Sequence, residues 1–155
     1  MVTIGIAMLQ GARHAHIDAI QRAASEMSLD VEIVELRTIE DLEKQPIDGL
    51  MLPGGESTVM RLRGNDEASR LLPALFAWMR EDESRPVLAT CAGAILLADP
   101  QDGGGPLVDA EIDRNAYGGQ VDSFESALDC GFPGIFIRAP RFGEVHDDIL
   151  YTLSK

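Results

Sequence analysis

The sequence predicts an α/β protein built on a mostly parallel sheet. Short apolar runs alternate along the chain with stretches whose apolar residues recur at helical spacing. The order is strand, helix, strand, helix, strand over the first third of the chain, which is the order that parallel sheets with right-handed crossovers require. A cysteine placed between one short strand and the next helix is the third observation, because it puts a reactive group at the end of that sheet.

The first five elements follow from hydrophobic pattern. Residues 2–8 form an almost continuous apolar run, which suits a central parallel strand buried on both faces. Residues 16–27 have helical spacing, and residues 30–36 alternate as a second strand. A short helix is predicted over 39–44 and a third strand over 47–52.

The later elements are less regular. Residues 68–79 have the pattern of an amphipathic helix, but Pro73 interrupts it, so the helix is expected to begin near Leu72 with proline in its first turn. Strands are predicted over 108–112 and, after a Pro-Gly turn, over 135–138.

Cys91 lies at a predicted strand-to-helix junction. Residues 87–90 are apolar or β-branched and predict a buried strand, whereas 92–98 predict an uncharged helix. A thiol on such a turn faces the first N–H groups of the helix, which favour the nucleophilic thiolate, and Gly93 allows a close approach of the backbone. The alternative interpretation is a small buried hydrophobic residue, a common role of free cysteine.

The stretch from Pro53 to Thr58 is a second candidate for function. A buried strand ends at Pro53, two glycines follow, and Ser57 or Thr58 is expected to cap the next helix. Such a loop lies at the carboxyl edge of the sheet and can direct N–H groups at a developing oxyanion. An ordinary turn is equally compatible, and the lysine of a phosphate-binding loop is absent.

Charged and metal-binding candidates are few. Arg114 and Arg138 follow predicted strands, where either could bind a substrate carboxylate or form surface salt bridges. His14 and His16 have no evident third ligand nearby, so no metal site is predicted.

Composition limits the function further. The chain has 155 residues, which suits one domain, and 45% of them are hydrophobic. No apolar run has the length of a membrane span and no signal peptide is evident, so a reducing cytoplasm is expected for Cys91 and Cys130. The formal net charge of −13 disfavours binding to nucleic acid or anionic membranes and predicts adaptation to high salt.

Several stretches of the chain match the motifs of one family. They are Leu9-Gln-Gly-Ala12, Leu52-Pro-Gly-Gly-Glu-Ser-Thr58, Thr90-Cys-Ala-Gly93, Arg114-Asn115, Gln120-Val-Asp-Ser-Phe-Glu125 and Phe136-Ile-Arg-Ala-Pro140. Taken together and in this order, they resemble the glutaminase subunits of pyridoxal 5′-phosphate synthase, which are class I glutamine amidotransferases (the PdxT/SNO family). The resemblance extends from the first strand to about Pro140.

The resemblance implies a flavodoxin-like three-layer sandwich, a single amidotransferase domain over 1–155 that is short at its C-terminus, and no cofactor. It implies that Cys91 forms a glutamyl thioester and releases ammonia to a barrel-shaped synthase subunit, near whose interface Gln10 would lie. The implied glutamine-binding residues are Gly55, Glu56, Ser57, Arg114, Ile137 and Arg138, and the implied oxyanion donors are at Gly55 and Ala92.

One departure from the family pattern affects the expected activity. The family has its catalytic histidine and glutamate in a Phe-His-Pro-Glu string, which is absent from these 155 residues; His146 stands in a different context. Impaired glutamine hydrolysis is therefore expected. Two alternatives stay open: a non-catalytic subunit that binds glutamine and the partner, and another cysteine-elbow hydrolase of the same fold class.

Overall fold

The structure is a computed structural model, and it describes residues 1–10, 13–113, 116, 123–136 and 140–145. Its contacts divide the chain into two compact units, Met1–Leu107 and Val108–Lys155. Each unit is described by itself.

The first unit contains a sheet of four parallel strands. The strands are β1 (Val2–Ala7), β2 (Val31–Leu36), β3 (Gly49–Leu52) and β4 (Val87–Ala89). Their spatial order is β2-β1-β3-β4, which is the beginning of the flavodoxin-like order. The predicted α/β class is therefore confirmed, and the unit has the flavodoxin-like α/β fold.

Five helices surround this sheet. They are α1 (Arg13–Glu26), α2 (Ile39–Lys44), α3 (Ser57–Gly64), α4 (Leu71–Glu81) and α5 (Ala92–Ala98). Helix α4 contacts both α2 and α3, and α3 also contacts α5. The predictions for α2 and α5 match the observed bounds, whereas α1 begins earlier than its apolar pattern indicated.

The core of this unit lies mainly under α4. This helix buries one complete face against the sheet, and every residue of β3 is buried as well. The buried α4 residues are Leu71, Leu72, Leu75, Phe76 and Met79. The helix begins at Leu71 with Pro73 in its first turn, as the proline predicted.

In the described part of the second unit, four strands form two antiparallel pairs. Its strands are β5 (Ala110–Asp113), β6 (Phe124–Ala127), β7 (Pro133–Phe136) and β8 (Arg141–Val145). Strand β5 pairs with β8, and β6 pairs with β7, where the rings of Phe124 and Phe136 stack at 4.7 Å. Strand β8 was not predicted, because its sequence is polar and contains Gly143.

None of the helices in the described ranges combines the length and the apolar character needed to cross a lipid bilayer.

Candidate active site at two adjacent strand-to-helix turns

Two strand-to-helix turns adjoin at the carboxyl edge of the parallel sheet. Leu52 of β3 pairs with Ala89 of β4, and the Thr90 amide donates to the Leu52 carbonyl at 3.1 Å. Because the strands end side by side, the turn after β3 lies against the turn after β4. The fold thus joins the two stretches that the sequence analysis selected separately.

Cys91 forms the sharper of these turns. Its backbone has φ 50° and ψ −120°, a combination that L-residues rarely adopt and that costs about 1–3 kcal/mol. Cys91 is the N-cap residue of α5, but its side chain makes no capping hydrogen bond, and the residue is exposed. The predicted nucleophile elbow is thus present, with a solvent-accessible thiol.

Two glycines allow this turn to pack closely. A Cβ on Gly93 would lie 2.3 Å from the Leu52 carbonyl oxygen, so only glycine lets α5 begin against the end of β3. A Cβ on Gly54 would lie 2.8 Å from Cys91 Cβ and 3.5 Å from its Sγ. The predicted close approach at Gly93 is confirmed, and the thiol lies beside the double glycine.

The turn after β3 is stabilised by a side chain. Glu56 is the N-cap residue of α3, and its carboxylate accepts hydrogen bonds from the amides of Thr58 at 3.1 Å and Val59 at 2.8 Å. The prediction of a cap at Ser57 or Thr58 was wrong, because Ser57 is already the first helical residue. The extended backbone of Glu56 lets its side chain fold back over the first turn.

Gln10 also holds this loop. Its side-chain Oε1 accepts a hydrogen bond from the Glu56 amide at 2.7 Å. A Cβ on Gly55 would lie 2.7 Å from the same oxygen, so the loop passes directly beside Gln10. Sequence reasoning placed Gln10 only near a partner surface. The available signal was its position just after β1, because β1 neighbours β3 and their following loops share one edge.

The two candidate oxyanion donors belong to these turns. Gly55 is exposed, whereas Ala92 is buried in the first turn of α5. Within the described parts of the chain, neither the Gly55 nor the Ala92 amide donates a hydrogen bond to another residue. Their role as oxyanion donors stays a prediction.

The remaining predicted residues lie outside the described ranges. These are Arg114, Ile137, Arg138 and His146. Among the described residues, no group of three or more histidine, cysteine, aspartate or glutamate side chains is arranged to hold a metal ion. The described part of the site therefore consists of Cys91 and the loop from Gly54 to Ser57.

An α/β sheet with an exposed cysteine on a strained turn, beside a glycine-rich loop, defines a class of cysteine-nucleophile hydrolases that includes class I amidotransferases. The family model of the SNO glutamine amidotransferases matches residues 6–154. The chain belongs to this family.

Several relatives support the same conclusion. The chain is 40% identical to pyridoxal 5′-phosphate synthase subunit PdxT of Methanothermobacter thermautotrophicus, with 96% of this chain and 76% of that protein covered. The protein of the same name from Thermococcus onnurineus is also 40% identical, over 96% of this chain and 78% of its own length. A third, from Bacillus thuringiensis, is 41% identical, over 96% of this chain and 74% of its own length.

Proposed function

We propose that this chain is the glutaminase subunit of a pyridoxal 5′-phosphate synthase and that Cys91 is its nucleophile. The observation that supports this most directly is the strained, exposed cysteine beside Gly54. Membership in a glutamine amidotransferase family indicates the reaction, which is release of ammonia from glutamine. The relatives named as synthase subunits indicate the pathway, which is the synthesis of pyridoxal 5′-phosphate.

The reaction proceeds in two steps. The Cys91 sulfur adds to the side-chain carbonyl carbon of glutamine, and the amides of Gly55 and Ala92 stabilise the negative charge on the carbonyl oxygen. The carbon–nitrogen bond then breaks, the nitrogen leaves with an added proton as ammonia, and a glutamyl thioester remains. Water cleaves the thioester to glutamate and the free thiol.

The glutamine pocket is assigned by resemblance. By this resemblance, the residues that bind glutamine are Gly55, Glu56, Ser57, Arg114, Ile137 and Arg138. An arginine suits the α-carboxylate of glutamine, because a guanidinium binds a carboxylate through two parallel hydrogen bonds.

The family has its catalytic histidine and glutamate in one string. The 155 residues contain no Phe-His-Pro-Glu string. A cysteine without a paired base loses the acid that protonates the leaving ammonia. The pocket is therefore tested by a reaction that does not need that acid.

The partner is a barrel-shaped synthase subunit that receives the ammonia in a hetero-oligomer. A net charge of −13 disfavours nucleic acid and anionic membranes as partners. A cytoplasmic location and adaptation to high salt are further proposals, which rest on cysteine use and on the charge balance.

Covalent labelling tests the pocket. An L-glutamine analogue with a chloromethyl ketone in place of the side-chain amide should alkylate Cys91 faster than Cys130, as measured by peptide mass spectrometry. Cys130 is the internal control, because its thiol is also exposed. L-Glutamine should protect Cys91, and D-glutamine should not. Equal labelling of both cysteines, unaffected by L-glutamine, would contradict the proposal.

Two further measurements separate the alternatives. Ammonia release is measured with and without the synthase partner, and Cys91→Ala is the control. Glutamine binding in calorimetry, without selective labelling of Cys91, would instead indicate a non-catalytic binding subunit.

A further inference from the structure

Helices α3 and α5 each begin at one half of the candidate site. Glu56 caps α3, and Cys91 is the first residue of the turn into α5. The helices contact each other and both lead away from the carboxyl edge of the sheet. Their relative position therefore sets the separation between the thiol and the Gly54–Glu56 loop.

Arg61 connects the far ends of these two helices. It lies on α3, and its side chain is only 11% exposed. Its Nη1 donates to the Pro100 carbonyl at 2.7 Å, and its Nη2 donates to the Asp99 carbonyl. Nη2 also lies 3.6 Å from the Asp99 carboxylate. Asp99 is the C-cap residue of α5, so one guanidinium holds the end of that helix.

We propose that Arg61 is a positioning residue that fixes Cys91 relative to the Gly54–Glu56 loop. The inference rests on the proposed function, because it concerns the same nucleophile. The last carbonyls of a helix have no partner within it, and a planar guanidinium can bind two neighbouring carbonyls in a fixed geometry, here those of the C-cap residue Asp99 and of Pro100, which follows it. The lysine ammonium has the charge but not this paired geometry.

The two ends of α5 are held in different ways. At the first turn, Gly93 lies against the Leu52 carbonyl, where there is no space for a side chain. At the last turn, Arg61 adds a charged contact to the burial of Leu96 and Leu97. Without Arg61, the Asp99 and Pro100 carbonyls lose this charged donor, and we expect α5 to shift relative to α3. Because Cys91 is the N-cap residue of α5, the orientation of its thiol toward the loop would change with that shift.

The experiment compares labelling of Cys91 in four variants of the chain. Arg61→Gln removes the guanidinium, and Arg61→Lys retains only the charge. Arg63→Gln is the matched control, because Arg63 lies on the same helix and is exposed. Arg80→Gln removes another anchored arginine, which binds Asp102 and the Gly105 carbonyl from α4. It controls for a general loss of stability.

Two rates are measured for each variant. One is the alkylation of Cys91 by the glutamine chloromethyl ketone, and the other is its alkylation by iodoacetamide, both relative to Cys130. We expect Arg61→Gln to lower the glutamine-directed rate by about tenfold or more, because small displacements of reacting groups have large effects on rate. The rate of iodoacetamide labelling at Cys91 relative to Cys130 should also change. Arg61→Lys should give intermediate values of both relative rates. Arg63→Gln and Arg80→Gln should match the unmodified chain.

The outcomes distinguish this inference from the proposed function. If the unmodified chain shows no glutamine-directed labelling, the proposed function fails, and the iodoacetamide ratio still tests Arg61. If both ratios in Arg61→Gln equal those of the unmodified chain, the positioning role is wrong. It is also wrong if Arg80→Gln changes both ratios as much as Arg61→Gln, because the effect is then one of stability alone.

Discussion

The turns after β3 and β4 are neighbours with the same topology, yet they are stabilised in opposite ways. After β3, Glu56 uses its carboxylate to bind two amides of α3, and Gln10 binds the Glu56 amide. After β4, Cys91 makes no capping bond and has a positive φ of 50°. The turn after β3 is fixed by side-chain hydrogen bonds. In the turn after β4, the Cys91 side chain makes no capping hydrogen bond, and the backbone is strained.

At this edge of the sheet, the side chains that stabilise the turns are different from the side chain that is available to react. The turn after β2 resembles the one after β3, because the Asp41 carboxylate accepts from the Arg37 amide at 2.9 Å and the Thr38 amide at 3.0 Å. The junctions after β2 and β3 thus each contain a carboxylate that binds backbone amides, whereas the junction after β4 exposes a thiol. If the Cys91 thiol made a capping hydrogen bond, it would be less available to attack a substrate.

The largest effect is expected at Gly93, the close contact on which the strained turn depends. Gly93→Ala places a Cβ 2.3 Å from the Leu52 carbonyl oxygen and should lower the free energy of unfolding by about 3 kcal/mol. Chemical denaturation measures the loss. Gly105→Ala is the control, because a Cβ there would meet nothing within 4 Å. Equal midpoints for the two variants would show that α5 does not depend on this contact.

The strain at Cys91 is tested by two variants that both lack the thiol. Glycine adopts positive φ without a steric penalty, so Cys91→Gly should be more stable than Cys91→Ala by about 1 kcal/mol. Thermal melting and denaturation measure the difference. The same pair of substitutions at Cys130, which has no positive φ, should show no gain from glycine. A more stable alanine variant at residue 91 would mean that the turn is not strained.

Local pattern predicted the parts of the site that depend on adjacent residues. The bounds of α5, the position of Cys91 and the close approach at Gly93 follow from short apolar runs and one glycine. Glu56 was missed as a cap because serine and threonine are the commoner capping residues and stand directly beside it.

Contacts between distant residues could not be predicted in the same way. Gln10 reaches the Glu56 amide only because β1 and β3 are adjacent, and Arg61 reaches Asp99 only because α3 lies against α5. These contacts depend on strand order and helix packing, which a hydrophobic pattern does not specify.

A smaller effect is expected where the side chain performs the capping. Glu56→Ala should lower the free energy of unfolding by about 1 kcal/mol, because two amides at the start of α3 lose their acceptor. Glu56→Gln retains an acceptor oxygen and should lose less. Denaturation midpoints measure both, with exposed Glu67→Ala as the control. If Glu56→Ala lowers the free energy of unfolding no more than Glu67→Ala does, the Glu56 carboxylate does not stabilise the turn after β3.

The smallest effect concerns the pH dependence of the capped turn after β2. The hydrogen bond from the Arg37 amide, followed by that from Thr38, lowers the pKa of the Asp41 carboxyl, and partial burial opposes this shift. A lowered pKa in the folded state means that the ionised carboxylate stabilises the fold. This contribution is complete above the unfolded value of about 3.9 and is lost as the pH falls through the folded value. Asp41→Asn should therefore cost about 0.5–1 kcal/mol at neutral pH.

The cost of Asp41→Asn should decrease steadily as the pH is lowered from neutral toward and below about 4, because the wild-type carboxylate becomes protonated there and loses its advantage over the neutral amide. Urea denaturation of both proteins across this range measures the difference directly. A difference that grew on acidification would have the wrong sign for a carboxylate cap. In contrast, the loss of stability caused by Gly93→Ala should not change over this acidic range, because that substitution introduces a steric overlap and removes no ionisable group. The pH dependence would thus separate a turn held by a charged side chain from one held by backbone packing alone.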